Sequence, residues 1–81
     1  MKIRLLHFAS FRDAVGREEE SRELPSGARV DDLWATLSRE VPLFARFPAM
    51  PPVAVNREYV APGTRLSEGD EVAFLPPVAG G

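Results

Sequence analysis

The sequence contains no cysteine, and it has only one histidine and one lysine among its 81 residues. Without cysteine the chain can form neither a disulfide nor a metal–thiolate site, and this composition fits a reducing cytoplasm. A zinc site would depend on His7 and carboxylates alone, so we expect no metal and a structural role for His7. Lys2 lies at the terminus, which argues against a buried catalytic amine.

Long apolar runs and an excess of one charge are also missing. The apolar stretch after Lys2 is far shorter than the roughly 20 residues of a membrane span, and no export signal follows it. The net charge is −2, with acidic and basic residues interspersed, so no basic patch for nucleic acid stands out. We therefore expect a single cytoplasmic domain with one hydrophobic core that binds neither membrane nor nucleic acid.

The clearest local pattern is an apolar stripe at helical spacing in the middle of the chain. Its members are Val30, Leu33, Trp34, Leu37 and Val41. Acidic residues in the predicted first turn interact favourably with the positive end of the helix dipole, and a proline directly after Val41 ends the helical pattern. The stripe predicts a helix with Trp34 in the core.

Alternating apolar residues predict a strand over residues 2–9 and a last strand over residues 71–75. Both are apolar on both faces, which is typical of central strands. Residues 18–24 are almost entirely charged, so a strand there belongs at a sheet edge. Residues 53–55 and 59–60 predict a short strand and its return strand.

Between these elements, a serine followed by an acid at residues 10–13 suggests a capping box and a short helix that Gly16 ends. Residues 43–52 contain three prolines and predict an irregular connection. With the first and last strands parallel in the centre and one main helix on one face, the expected class is α+β. This arrangement describes the β-grasp, or ubiquitin-like, fold.

Alternation also predicts an apolar sheet face that the main helix does not cover. The residues expected on the helix side are Ile3, Leu5, Val72 and Phe74. The residues expected on the opposite side are Leu6, Phe8, Ala73 and Leu75, with Tyr59 near them. Such a patch suggests a partner interface, and the alternative is a second small core beneath residues 43–52. We expect Arg12 and the acids of residues 68–71 to steer docking.

The C-terminus is the remaining candidate site. Pro76-Pro77 should end the last strand as a stiff lead, so we expect a folded domain over residues 1–77 and a flexible tail over residues 78–81. Gly80-Gly81 has no Cβ atom and could enter a narrow channel in another protein. Six extended residues from Pro76 reach about 20 Å.

Residues 66–81, LSEGDEVAFLPPVAGG, resemble the C-terminus of the MoaD/ThiS family of ubiquitin-like sulfur carriers. The resemblance extends to Phe8-Ala9 followed by Arg12, to the helix start VDDL at residues 30–33, and to Val55-Asn56. It therefore covers nearly the whole chain. One departure is Arg29, which stands where the family often has a capping threonine.

The resemblance implies that an E1-like enzyme uses ATP to adenylate the Gly81 carboxylate, and that a desulfurase or rhodanese-type donor converts it to a thiocarboxylate. The residues implied to enter the large subunit of molybdopterin synthase are Pro77, Val78, Ala79, Gly80 and Gly81. The resemblance also implies that the small and large subunits form a heterotetramer, in which sulfur passes to cyclic pyranopterin monophosphate. The catalytic residues would belong to the large subunit, and no cofactor would stay permanently bound to this chain. Alternatives are a carrier for tRNA thiolation or thiamine synthesis, and a protein modifier attached to lysines.

Overall fold

A computed structural model describes residues 1–77, which form a mixed sheet of five strands with three helices. In chain order the elements are β1 (Lys2–Leu6), α1 (Ala9–Val15), β2 (Glu19–Glu23), α2 (Val30–Glu40), α3 (Pro42–Ala45), β3 (Val53–Val55), β4 (Glu58–Tyr59) and β5 (Glu71–Phe74). The strand order is β2-β1-β5-β3-β4. The expected tail over residues 78–81 lies outside the described residues.

The two most apolar strands lie in the centre of the sheet, as their sequences predict. β1 and β5 run parallel, with Leu5 opposite Val72 and Leu6 opposite Ala73. β2 pairs antiparallel with β1 and forms one edge. The prediction of a charged edge strand is therefore confirmed, because β2 consists of the residues EESRE.

Helix α2 follows the predicted apolar stripe. Val30, Leu33, Trp34 and Leu37 are buried. The Asp32 carboxylate accepts a hydrogen bond of 2.9 Å from the backbone N–H of Arg29, so an acid inside the first turn caps the helix that lacks a capping threonine. The helix ends at Glu40, and Pro42 begins α3 immediately afterwards.

Helix α1 does not begin with the predicted capping box. It starts at Ala9, with Phe8 at the N-cap position, so Ser10 lies inside the first turn and no side chain caps it. The Phe8 carbonyl instead accepts hydrogen bonds from the backbone N–H groups of Phe11, at 3.0 Å, and Arg12, at 3.2 Å. The prediction was wrong because a left-handed residue, Ala9 at φ 47°, turns the chain before the serine is reached.

Aromatic side chains fill the space between α2 and its sheet face. The ring centroids of Phe11 and Phe44 are 4.6 Å apart, and those of Trp34 and Phe74 are 4.9 Å apart. Phe44 belongs to α3, a single turn that the proline-rich composition of residues 43–52 did not predict. Proline at the first helical position and a buried phenylalanine account for this turn.

The β3–β4 hairpin turns through Asn56 and Arg57, at φ 52° and 71°. The Asn56 amide donates to Asp70 Oδ1 and its Oδ1 accepts from the Glu71 backbone N–H, each at 3.0 Å. These bonds join the hairpin to the start of β5. β4 covers residues 58–59 rather than the predicted 59–60, and the Val60 N–H donates to the Val53 carbonyl just beyond it.

Candidate functional site

The sheet face opposite α2 carries exposed apolar side chains. Phe8 is 46% exposed and Tyr59 is 74% exposed, while Leu6 and Leu75 are half-buried. We call this surface the open face; its residues are Leu6, Phe8, Ala54, Tyr59, Ala73 and Leu75. The helix-side residues Ile3, Leu5, Val72 and Phe74 are at most 3% exposed, so the predicted division of the two faces is confirmed.

A groove of about 900 Å³ crosses one end of the open face. Its walls are Phe8, Ala9, Phe47, Pro51, Pro52, Tyr59, Leu75, Pro76 and Pro77. The Leu75 N–H donates to the Pro52 carbonyl at 2.8 Å and holds the end of β5 against the 43–52 connection. The chain therefore leaves the sheet through an apolar groove.

The connection over residues 43–52 borders the open face and does not cover it. Phe47, Pro51 and Pro52 form a wall of the groove. Phe47 also packs against the main core, in which Phe44 is fully buried. Because Phe8 and Tyr59 stay exposed, the alternative of a second small core beneath this connection does not hold. No sequence pattern identifies Phe47 as a site residue, because an irregular connection does not specify which way each side chain points.

Ala73 lies on the predicted face but contributes little exposed surface. It lies in the central strand on the open face but is only 7% exposed. Its methyl group lines a smaller hollow of about 300 Å³, between the larger side chains of Leu6 and Leu75. A short side chain in a central strand lies below its neighbours, so Ala73 forms the floor of the face.

The structure brings together the predicted partner residues Leu6, Phe8, Tyr59 and Leu75 on this one face. Arg12 lies beside it on α1, lining a shallow hollow with Leu6 and Phe8. The Arg12 side chain is 49% exposed, and its Nη1 is 3.5 Å from Glu18 Oε1. Pro77 lies at the exit of the groove, and the predicted tail residues Val78, Ala79, Gly80 and Gly81 fall outside the described part of the chain.

Charged side chains border the open face where β1 and β5 begin. Glu71 Oε1 lies 3.3 Å from an Arg4 Nη atom, and Arg4 Nε lies 3.5 Å from Glu19 Oε2. Arg57 Nε lies 3.8 Å from the other Glu71 oxygen. The face thus has an apolar centre and a rim of both charges.

A separate charge network lies at the β2 edge, away from the groove. His7 is 4% exposed, and its Nε2 is 2.8 Å from Glu20 Oε2. Arg22 Nε donates to Glu20 Oε1 at 3.0 Å, and both Arg22 Nη atoms donate to the carboxylate of Glu40 at the end of α2. The network joins the residue after β1 to β2 and α2, which agrees with the structural role predicted for His7.

This network lowers the pKa of both carboxyl groups. Burial raises the pKa of Glu20, but hydrogen bonds from His7 and Arg22 outweigh it and bring the pKa below 4.5. The hydrogen bond from Arg22 is the main cause of the lowered pKa of Glu40. The same bond raises the pKa of Arg22, so its guanidinium stays charged.

Other kinds of site find no support in residues 1–77. No group of histidine and acidic side chains in this part of the chain is arranged to hold a metal ion. Among the same residues, no helix has the length and apolar character needed to cross a membrane.

A mixed five-stranded sheet with a parallel central pair and one long helix across a single face defines a ubiquitin-like domain of the β-grasp fold. Its last strand ends beside the open face, where Pro76 and Pro77 line the groove. The chain belongs to the ThiS family, whose model matches residues 5–81.

Known proteins resemble the chain over its whole length. The molybdopterin synthase sulfur carrier subunit of Chlamydomonas reinhardtii is 39% identical, with 100% of both chains covered. The protein of the same name from Mycobacterium tuberculosis is 36% identical over 100% of this chain and 99% of its own. A solved structure of a molybdopterin converting factor subunit 1 from Pyrococcus furiosus superposes with a TM-score of 0.85 at 36% identity, covering 96% of this chain and 99% of that one.

Proposed function

We propose that this chain is a sulfur carrier subunit of molybdopterin synthase, with sulfur held as a thiocarboxylate on Gly81. It has no catalytic residue of its own in this proposal. The open face docks on the large subunit, and the tail of Pro77, Val78, Ala79, Gly80 and Gly81 extends into that subunit's active site. Relatives of this name cover the whole chain, which supports the choice of pathway.

One observation carries the proposal: the last strand leaves the centre of the sheet along the apolar groove and reaches Pro77, four residues before Gly81 in the sequence. Leu75, Pro76 and Pro77 line the groove beside Phe8 and Tyr59. A partner that covers these side chains would hold the start of the tail at a fixed position. The four residues beyond Pro77 span about 14 Å when extended, enough to cross the wall of an active site.

The chemistry needs only the terminal carboxylate of this chain. A carboxylate is a poor electrophile, so an E1-like enzyme first joins Gly81 to AMP from ATP and releases pyrophosphate. A persulfide sulfur from a desulfurase or rhodanese-type donor then attacks the acyl carbon and displaces AMP; reductive cleavage of the resulting acyl disulfide by a thiol leaves the thiocarboxylate. This sulfur is a soft nucleophile, so the chain needs no cysteine.

Sulfur transfer returns the carrier to its starting state. The thiocarboxylate sulfur attacks an electrophilic carbon of cyclic pyranopterin monophosphate, and the oxygen on that carbon leaves, either as water or as the phosphate oxygen of the opened ring. Water then cleaves the acyl–sulfur bond, which leaves the sulfur on the pterin and restores the Gly81 carboxylate. Repetition at the neighbouring carbon builds the dithiolene. Acid–base groups for these steps belong to the large subunit, and neither ATP nor a metal remains bound to this chain.

The proposal is tested by incubating the chain with ATP, its E1-like activator and a sulfur donor, followed by intact-mass measurement. The expected result is replacement of one oxygen by sulfur at the C-terminus. A chain lacking Gly81 should gain none, because its carboxylate stops about 3.5 Å short. An extra residue beyond Gly81 should also prevent the gain, because the reactive carbonyl is then part of an ordinary peptide bond.

Both altered chains serve as fold-matched controls, since the change lies beyond the sheet and the core. Equal sulfur gain by the Gly81 deletion would contradict a carrier role for Gly81. If the thiocarboxylate forms but its sulfur is not transferred in the presence of the large subunit, the carrier serves another pathway, such as tRNA thiolation or thiamine synthesis. Gly81 linked to lysines instead would indicate a protein modifier.

A further inference from the structure

The turn between β3 and β4 places an arginine where backbone geometry favours glycine. Asn56 and Arg57 both have left-handed φ angles, 52° and 71°, and they form the two-residue connection of the hairpin. Such turns favour asparagine followed by glycine, because a side chain at the second position is strained by its own Cβ atom. Arg57 therefore carries a conformational cost that Asn56 largely avoids.

The contacts of the Arg57 side chain do not offset this cost. The side chain is 90% exposed, and its Nε lies 3.8 Å from Glu71 Oε2, which is longer than a hydrogen bond. The other Glu71 oxygen already accepts from Arg4 at 3.3 Å. A long ion pair in which the arginine is almost fully exposed adds little stability, so the fold gives no reason for an arginine at this position.

The position of Arg57 suggests a reason outside the fold. Its side chain lines the smaller hollow of the open face together with Leu6 and Ala73, so a largely exposed cation stands at the rim of an apolar surface. Ala9 also has a left-handed φ angle although it is not a glycine. It lies next to Phe8 in the larger groove of the same face. Backbone strain concentrates at binding sites when the surrounding structure maintains it for function.

We propose that Arg57 is a specificity-determining residue of the open face and pairs with a carboxylate on the protein that docks there. The guanidinium can donate two parallel hydrogen bonds to such a group. Apolar contacts in the centre of an interface supply most of the binding, whereas a charge at its rim selects the partner and speeds association. This inference rests on the proposed function, because it takes the large subunit of molybdopterin synthase as the partner.

The test compares three variants in two measurements, the thermal midpoint of the free carrier and its association rate with the large subunit across a range of salt concentrations. Arg57→Gly removes the charge and the strain together. Arg57→Glu reverses the charge and keeps the strain. Arg39→Glu makes the same reversal on the exposed side of α2, across the sheet from the open face, and is the matched control.

Arg57→Gly should raise the thermal midpoint by roughly 2–4 °C, because the turn gains its favoured residue. It should nevertheless slow association severalfold, and Arg57→Glu should slow it about tenfold at low salt, with the difference shrinking as salt rises. Arg39→Glu should associate at close to the original rate.

Two results would overturn the inference while leaving the proposed function intact. In the first, Arg57→Glu associates as fast as Arg39→Glu. In the second, Arg57→Gly lowers the thermal midpoint, which would mean that Arg57 serves the fold. If the original chain itself does not bind the large subunit, the docking part of the proposed function fails, and this inference fails with it.

Discussion

Phe8 and Phe11 stand three residues apart in the sequence, yet Phe8 is 46% exposed and Phe11 is 1% exposed. Ala9 lies between them in a left-handed conformation, at φ 47°, and this turn sends Phe8 to the open face and Phe11 into the aromatic core. The same residue type therefore performs two tasks in this domain. Backbone geometry decides whether its apolar surface stabilises the fold or remains available to a partner.

The largest expected effect is on the core side of this comparison. Phe11→Ala should lower the free energy of unfolding by about 3–5 kcal/mol, because it leaves a cavity against Trp34 and Phe44. Phe8→Ala should lower it by less than about 1 kcal/mol, since that side chain already meets solvent. Urea unfolding of both variants measures the difference, and equal losses would remove the distinction between the two phenylalanines.

The next largest effect is on binding to the large subunit, where Phe8 should matter more than Phe11. Phe8→Ala and Leu75→Ala should each weaken binding to the large subunit by about 2 kcal/mol, because both side chains line the groove and the smaller hollow. Val15→Ala is the control, a half-buried apolar residue of α1 outside both. Titration calorimetry gives the affinities. A Phe8→Ala chain that folds normally and binds as tightly as the original would contradict the docking role of this face.

A smaller effect separates the charges that support the fold from those at the open face. The pKa values of Glu20 and Glu40 are lower in the folded chain than the ordinary 4.5, so the folded state binds fewer protons than the unfolded state. The stability from this network is present above about pH 4.5 and is lost as the pH falls through the lowered values. The expected loss is on the order of 1 kcal/mol.

Urea unfolding at pH 6 and pH 3 measures this loss. The variant Arg22→Gln removes the donor that both carboxylates share. Its stability should therefore be lower at pH 6 and should fall less on acidification than that of the original chain. An identical fall in both chains would show that other carboxyl groups dominate the acid response.

The smallest effect on stability is expected at Arg12. Its ion pair with Glu18 joins two side chains that are 49% and 80% exposed, so Arg12→Glu should leave the thermal midpoint almost unchanged. The same variant should slow association with the large subunit several-fold at low salt, because Arg12 lies beside the open face. Stopped-flow association at low and high salt tests this prediction, and a marked fall in thermal midpoint would instead assign Arg12 to the fold.

Much of the fold could be predicted from residue periodicity. Spacing placed Val30, Leu33, Trp34 and Leu37 on one buried stripe, and alternation assigned Leu5 and Leu6 to opposite faces, because both patterns follow from regular backbone. The predictions of the fold fail where the backbone is irregular. Ser10 has the right neighbours for a cap, but the turn at Ala9 starts the helix first, and nothing in the residue type alanine signals a positive φ.

The candidate site was predictable to a similar degree. The open face follows from strand alternation, whereas its Phe47 wall depends on how a proline-rich connection packs, and this is a tertiary property. Arg57 falls between the two short strands that the sequence predicts, but its left-handed angle and its place at the rim of the face emerge only in three dimensions. The proposed role of Gly81 rests on the family resemblance.

Single-turnover sulfur transfer shows whether Gly81 delivers sulfur to the pterin. The chain is prepared with a thiocarboxylate at Gly81, mixed with the large subunit and cyclic pyranopterin monophosphate without ATP, and followed by intact mass. The account predicts that one carrier thiocarboxylate reverts to carboxylate for each sulfur that enters the dithiolene, and that thiocarboxylated Phe8→Ala does so far more slowly. Dithiolene that forms equally well from the unmodified carboxylate chain, or a thiocarboxylate that stays intact beside the large subunit, would contradict it.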